Sequence, residues 1–125
     1  MIHSLRHRLL GWLPAVIWAA FIFSLSSLPG KSFPDLNLLG DIPSIIAHIG
    51  LYAVFMFLLS RALQRQSWLS PSGLFRVAFV IVALYAISDE YHQSFVPGRY
   101  ADFLDWLADM VGATLAWVWL VRLKR

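Results

Sequence analysis

Four apolar runs of similar length fill most of this chain, roughly Leu9–Leu28, Ser44–Leu63, Leu74–Phe95 and Phe103–Val121. Each is close to the roughly 20 residues that an α-helix needs to cross the hydrocarbon of a bilayer. A segment in lipid must satisfy its own backbone hydrogen bonds, and a helix does this within one segment. The expected fold is therefore all-α, an integral membrane four-helix bundle forming a single domain over residues 1–125. Composition agrees, because hydrophobic residues make up 59% of the chain and charged residues only 14%, against about 25% charged in an ordinary soluble domain. A small soluble domain leaves much of its surface in water and could not hide so many apolar side chains. The absence of cysteine excludes disulfides, thiol chemistry and cysteine-ligated zinc.

Local signals mark the breaks between the runs. Arg6 and Arg8 precede the first run as they would in a signal peptide, but Ser26-Ser27-Leu28-Pro29-Gly30 is a poor cleavage site and the run is long, so a permanent helix is expected. Pro14 falls in its first turns, where a missing amide costs little. Asp41 with Pro43 reads as a cap and first-turn proline for the second helix. Ser70-Pro71-Ser72-Gly73 reads as a short turn, and Val96-Pro97-Gly98-Arg99 as a tight one. Asp102 followed by Asp105 resembles a capping pair for the fourth helix.

Charge placement sets the expected orientation. Arg6, Arg8, Arg61, Arg65, Arg76, Arg122, Lys124 and Arg125 fall on one side, and only Lys31 and Arg99 on the other. Under the positive-inside rule both termini are cytoplasmic. The net charge of +3 then reflects topology, and nucleic acid is not an expected partner. All seven acids, Asp35, Asp41, Asp89, Glu90, Asp102, Asp105 and Asp109, lie toward the outer side.

Several of these polar groups cannot escape the membrane. Only 12 uncharged residues separate Arg76 from Asp89, and again Asp109 from Arg122. Twelve residues of helix rise about 18 Å, short of a ~30 Å core. Asp89, Asp109 and His48 each stand 13 positions from a basic residue, Arg76, Arg122 and Arg61 respectively. That count places all three roughly 20 Å from the inner boundary. Helical phase groups Asp102, Asp105 and Asp109 on one face that continues through Gly112 and Ala116, a small-residue pattern suited to helix packing. Tyr85, Asp89, His92 and Gln93 share a face on the third helix, with Glu90 beside it. His48 and Tyr52 are i, i+4 neighbours on the second, and Ser24 and Ser27 carry hydroxyls near the outer end of the first. Charged groups facing hydrocarbon cost ~2.5–3.5 kcal/mol each, so these faces are expected to converge on a polar pocket opening outward.

The string Ser88-Asp89-Glu90-Tyr91-His92-Gln93-Ser94-Phe95-Val96-Pro97-Gly98-Arg99, followed by Asp102, Asp105 and Gly112, resembles the signature of the VanZ-like family. His48 with Tyr52 is similar to its second motif, and Phe23-Ser24-Leu25-Ser26-Ser27 to the polar end of its first helix. The resemblance spans nearly the whole chain. It implies a small multi-pass protein of the bacterial cytoplasmic (inner) membrane, with a link to resistance against the lipid-tailed glycopeptide teicoplanin. It implies no particular reaction. The chain departs from the family in having Ser44 and Ile45 where many relatives carry Asp-Lys, and Asp109 where many carry Asn.

Simple structural roles account for some of these residues. Asp41, Asp102 and Asp105 suit helix caps, Lys31 and Asp35 suit solvated loops, and Trp12, Trp68, Trp106 and Trp119 suit interface anchors. His48, Asp89, Glu90, His92, Gln93, Arg99 and Asp109 remain, with Ser24 and Tyr52, as the candidate ligand-binding set. An internal network holding the helices in register would also employ them. Three functions stay open. A binding protein would take the polar end of an amphiphile, such as a lipid-tailed glycopeptide or a lipid-linked envelope precursor, with Arg99 holding a carboxylate or phosphate. A lipid-head-group enzyme would bind a divalent metal through Asp89, Glu90, His92 and His48. An ion or proton conductor would use the acid–histidine chain. No organic cofactor is expected. Membrane lipids are expected partners, and self-association is open because four helices barely enclose a site.

Overall fold

The computed structural model describes residues 2–34, 40–65 and 68–123. Asp35, Lys124 and Arg125 therefore lie outside the described residues. Four helices carry the fold: α1 (Ile2–Ser26), α2 (Ile42–Gln64), α3 (Pro71–Gln93) and α4 (Phe103–Leu123). All four are long and apolar enough to span a membrane, and no strand occurs among the described residues.

Helix boundaries differ from the apolar runs for physical reasons. The first helix begins at Ile2 rather than Leu9, because arginine is itself a good helix former; apolarity marks what can lie in lipid, not where a helix starts. Pro14 consequently sits well inside α1 and not in its first turns, leaving the Leu10 carbonyl without its helical donor. The third helix begins at Pro71 rather than Leu74. The Ser70 hydroxyl accepts the Gly73 amide at 3.1 Å, and Pro71 occupies a position where no amide is needed. Asp41 precedes α2, but its side chain makes no capping hydrogen bond. Its backbone is already helical, at φ −84° and ψ −2°, whereas a side-chain cap requires the extended conformation.

Contacts along the helices define the arrangement. Ser44 meets Asp105, His48 meets Asp109 and Phe57 meets Trp119, so α2 and α4 run parallel. Tyr52 bonds Asp89 on α3, while Trp106 and Trp117 of α4 meet Ala83 and Phe75, so α3 is antiparallel to both. The Trp18 indole donates to the Leu51 carbonyl at 2.9 Å, and Arg65 lies against Gly11, so α1 is antiparallel to α2. The outer edge of α1 and the outer faces of the other helices carry exposed apolar residues such as Val16, Ile17, Val80, Leu84, Val111 and Leu115. Both ends of the described chain thus reach one end of the bundle, together with Arg6, Arg8, Arg61, Arg65, Arg76 and Arg122.

The most extensive seam joins α2 to α4. Gly112 makes it possible, because a Cβ at this position would run into the Ile49 carbonyl. Gly112, Ala113 and Ala116 are all buried, so the small-residue face packs on α2 as its spacing predicts. At the other end, Pro97 and Gly98 make a type II turn. Gly98 has φ +73°, and the Arg99 amide donates to the Val96 carbonyl at 3.0 Å. The Gly30 amide donates to the Pro97 carbonyl at 3.0 Å, which docks the α1–α2 connection onto this turn and roofs the polar end of the bundle.

Candidate functional site: a buried polar cluster beside an amphipathic cleft

The convergence expected from the depth count is present. His48, Asp89 and Asp109 are 8%, 4% and 0% exposed, and Glu90 and Gln93 are buried with them. His48 Nδ1 donates to Asp109 Oδ1 at 2.7 Å, and its Nε2 faces Asp105 Oδ2 at 3.5 Å. The Tyr52 hydroxyl donates to Asp89 Oδ2 at 3.2 Å. Three acids, Asp109, Asp105 and Glu90, therefore lie about a single imidazole, and Asp89 stands beside Tyr52. One oxygen of each of Asp89, Glu90 and Asp109 is buried without a hydrogen-bond partner.

The start of α4 explains how Asp105 reaches His48. Asp102 caps the helix by accepting the Leu104 amide at 2.8 Å. In a capping box the acid three residues on would take the cap residue's own amide. Here that amide instead donates to Glu90 Oε2 of α3, at 2.8 Å. Glu90 thus ties α3 to the first turn of α4, and Asp105 is released toward α2, where the Ser44 hydroxyl also donates to it at 3.4 Å. The expected Asp102–Asp105 pair is a capping residue and a site residue.

A cleft of about 650 Å³ adjoins this cluster. Its polar lining includes Ser26, His48, Asp89, Gln93, Arg99 and Asp105; Ile22, Leu25, Phe33 and Leu51 supply apolar lining. The Arg99 guanidinium stacks on the Phe33 ring, 4.9 Å from its centroid, which holds its fork at the mouth of the cleft. Glu90 and Asp109 do not line the cleft.

Two candidates fall elsewhere. Ser24 is exposed, and its hydroxyl bonds the Ala20 carbonyl of its own helix at 2.8 Å. Ser26, two residues further and on nearly the opposite face, is the buried serine that lines the cleft. His92 turns toward α1, with Nε2 3.0 Å from the Ser27 hydroxyl and its ring stacked on Phe23. The buried face of α3 runs from Asp89 through Gln93 to Glu90, and His92 lies about 60° beyond Asp89 on the other side, at the margin that meets α1. Ser26, Asp105, Phe33 and Tyr100 also line the cleft, and they stand outside the ligand-binding set expected from the sequence. Helical phase from Ile22 could have found Ser26, whereas the loop residues carried no signal.

A family model described as VanZ/LLP1 matches residues 11–124. No curated protein and no solved structure matches the chain.

Proposed function

The chain belongs to the VanZ/LLP1 family and is a multi-pass membrane protein; from this premise we propose that it binds the polar end of an amphiphilic envelope ligand. The observation that carries the reading is the mixed lining of the cleft. Apolar Ile22, Leu25, Phe33 and Leu51 share one wall system with His48, Asp89, Gln93 and Arg99, which suits a molecule with both a charged head and a hydrocarbon part. Arg99 presents a planar fork to a carboxylate or phosphate. Asp89, Gln93 and Asp105 offer acceptors to amines and hydroxyls. The ligand class is a lipid-tailed glycopeptide or a lipid-linked envelope precursor, and the cleft opens on the outer face of the bacterial cytoplasmic membrane.

The outward direction rests on the cluster of arginines at the opposite end of the bundle. Reporter fusions after Arg65 should read as cytoplasmic and fusions after Gly98 as external. In the same strains, the wild-type protein should alter susceptibility to a lipid-tailed glycopeptide more than to its tail-less analogue. Arg99→Ala and Asp89→Asn should abolish that difference at equal protein levels in isolated membranes. Ser94→Ala should not, because Ser94 is exposed and bonds only the Tyr91 carbonyl of its own helix, at 2.6 Å. Full protection by both cleft variants would refute the reading.

A further inference from the structure

A buried carboxylate needs a donor or a cation for its oxygens. Asp109 is fully buried, yet only Oδ1 has a partner, and Oδ2 has none. Glu90 is 7% exposed; Oε2 accepts the Asp102 amide, and Oε1 has no partner. His48, Glu90 and Asp109 can each present one ligand atom so that all three atoms lie within 4.8 Å of one another. Atoms bound to one metal at roughly 2.1 Å lie about 3–3.5 Å apart, so rotations of the order of an ångström would close the set.

We propose that His48, Glu90 and Asp109 form a divalent-cation site inside the bundle, with Asp105 orienting the histidine. His48 Nδ1 donates its proton to Asp109 Oδ1 across 2.7 Å. A cation takes the place of that proton, bound between the Nδ1 lone pair and the carboxylate. The imidazole proton then resides on Nε2, facing Asp105 Oδ2 at 3.5 Å. A ligating imidazole whose other nitrogen faces a carboxylate is the usual outer-shell arrangement of protein metal sites. Charge supports the same assignment, since two ligand carboxylates and a dication sum to zero, the state that a low-dielectric interior favours.

The donor set selects the ion. One imidazole and two carboxylates suit Zn²⁺ or Mn²⁺, whereas Ca²⁺ calls for six to eight oxygen ligands. His92 takes no part, being held by Ser27 and Phe23 of α1. His48 alone among the three ligands also lines the cleft, so the ion stands at the cleft wall. The inference does not depend on the amphiphile reading, because metal alone is the probe.

Tag-free protein in lipid nanodiscs, stripped with chelator, should take up one equivalent of Zn²⁺ or Mn²⁺ but not Ca²⁺, measured by elemental analysis after gel filtration. Co²⁺ should give the intense visible bands of a low-coordinate site, and Zn²⁺ should remove them. Glu90→Gln and Asp109→Asn should lose the bound metal, Asp105→Asn should weaken it about 10- to 100-fold, and exposed His7→Gln should leave it unchanged. Because ligand variants could misfold, the wild-type protein decides by itself: no uptake and no cobalt bands would mean that protons alone neutralise the cluster, overturning the proposal. Undiminished uptake by folded Glu90→Gln and Asp109→Asn would overturn it as well.

Discussion

Around Val82 and Ala113 the interior of the bundle is closed by Phe55, Met56, Leu59, Ala78 and Ala116, all buried. Two turns along α3, and one turn along α4, the same interior holds Asp89, Glu90, His48 and Asp109, equally buried. The two halves share helices, packing partners and degree of burial, and differ only in side-chain chemistry. The dry half, in which Ser60 is the one buried polar side chain among the described residues, shows that this sequence can seal a four-helix interior with almost wholly apolar groups. Its polar half is therefore not forced by the architecture. The contrast also bears on conduction. Thr114 is exposed and bonds the Met110 carbonyl at 2.8 Å, and Ser60 stands alone as a buried polar side chain in this half, so among the described residues no continuous chain of polar groups runs from the acid cluster to the arginine-rich end. The apolar half offers the cleft no polar route onward, which favours binding over transport.

The comparison would break most visibly if the dry half tolerated a charge. Val82 is 0% exposed at its centre. Val82→Asp should cost ~2.5–3.5 kcal/mol in insertion, with a further penalty for a buried charge that has no partner. Little of this variant should accumulate in isolated membranes. Wild-type abundance and unchanged thermal unfolding would mean that water reaches Val82 and that the halves are not different in kind.

A smaller effect is expected in the polar half. Tyr52→Phe removes the one hydroxyl that donates to Asp89, whose other oxygen already lacks a partner. Leaving this carboxylate without its donor should destabilise by about 1–3 kcal/mol, read as a shift in unfolding midpoint in detergent. Adding Asp89→Leu should recover part of the loss, because the cost belongs to the orphaned acid and not to the missing phenol. No recovery would show that the loss does not come from the orphaned Asp89 carboxylate.

The difference between the halves was largely legible in the sequence, for a reason specific to membranes. Length and apolarity identify a spanning helix almost by themselves, so four helices and their order followed directly. The residue count from Arg61, Arg76 and Arg122 placed His48, Asp89 and Asp109 at one depth, because helical rise converts sequence distance into height. Rotation about each axis was harder to read. His92 and Ser24 have the right chemistry and height, but their side chains turn away from the interior toward Ser27 and the Ala20 carbonyl. The spacing of Asp105 from Asp102 reads as a capping pair, but the Asp102 amide that it would accept is claimed by Glu90 on another helix. Such exchanges depend on tertiary neighbours, which local spacing does not encode. Phe33, Gly40 and Tyr100 line the cleft from connecting segments, where no periodicity exists to read.

Ser60 gives the finest test of the comparison. It lies on the same face of α2 as Tyr52 and Met56, at i+8 and i+4, and carries the dry half toward the arginine-rich end. Its side chain is 0% exposed, and its hydroxyl has no hydrogen-bond partner. A serine within a helix can ordinarily bond the carbonyl four residues back, but no such bond to Met56 is present among the described residues. If the surroundings are dry, the hydroxyl pays a desolvation cost with nothing in return. Ser60→Ala should then leave stability unchanged or raise it by up to about 1 kcal/mol, opposite in sign to Tyr52→Phe. Both variants should be unfolded in the same detergent so that only the local environment differs. The sign carries the information. A loss of ~1 kcal/mol or more in Ser60→Ala would mean that the hydroxyl has a partner in the working protein, an ordered water being the natural one. Water at Ser60 would extend the polar half toward the basic end of the bundle, and conduction would again compete with binding as the role of the acid cluster.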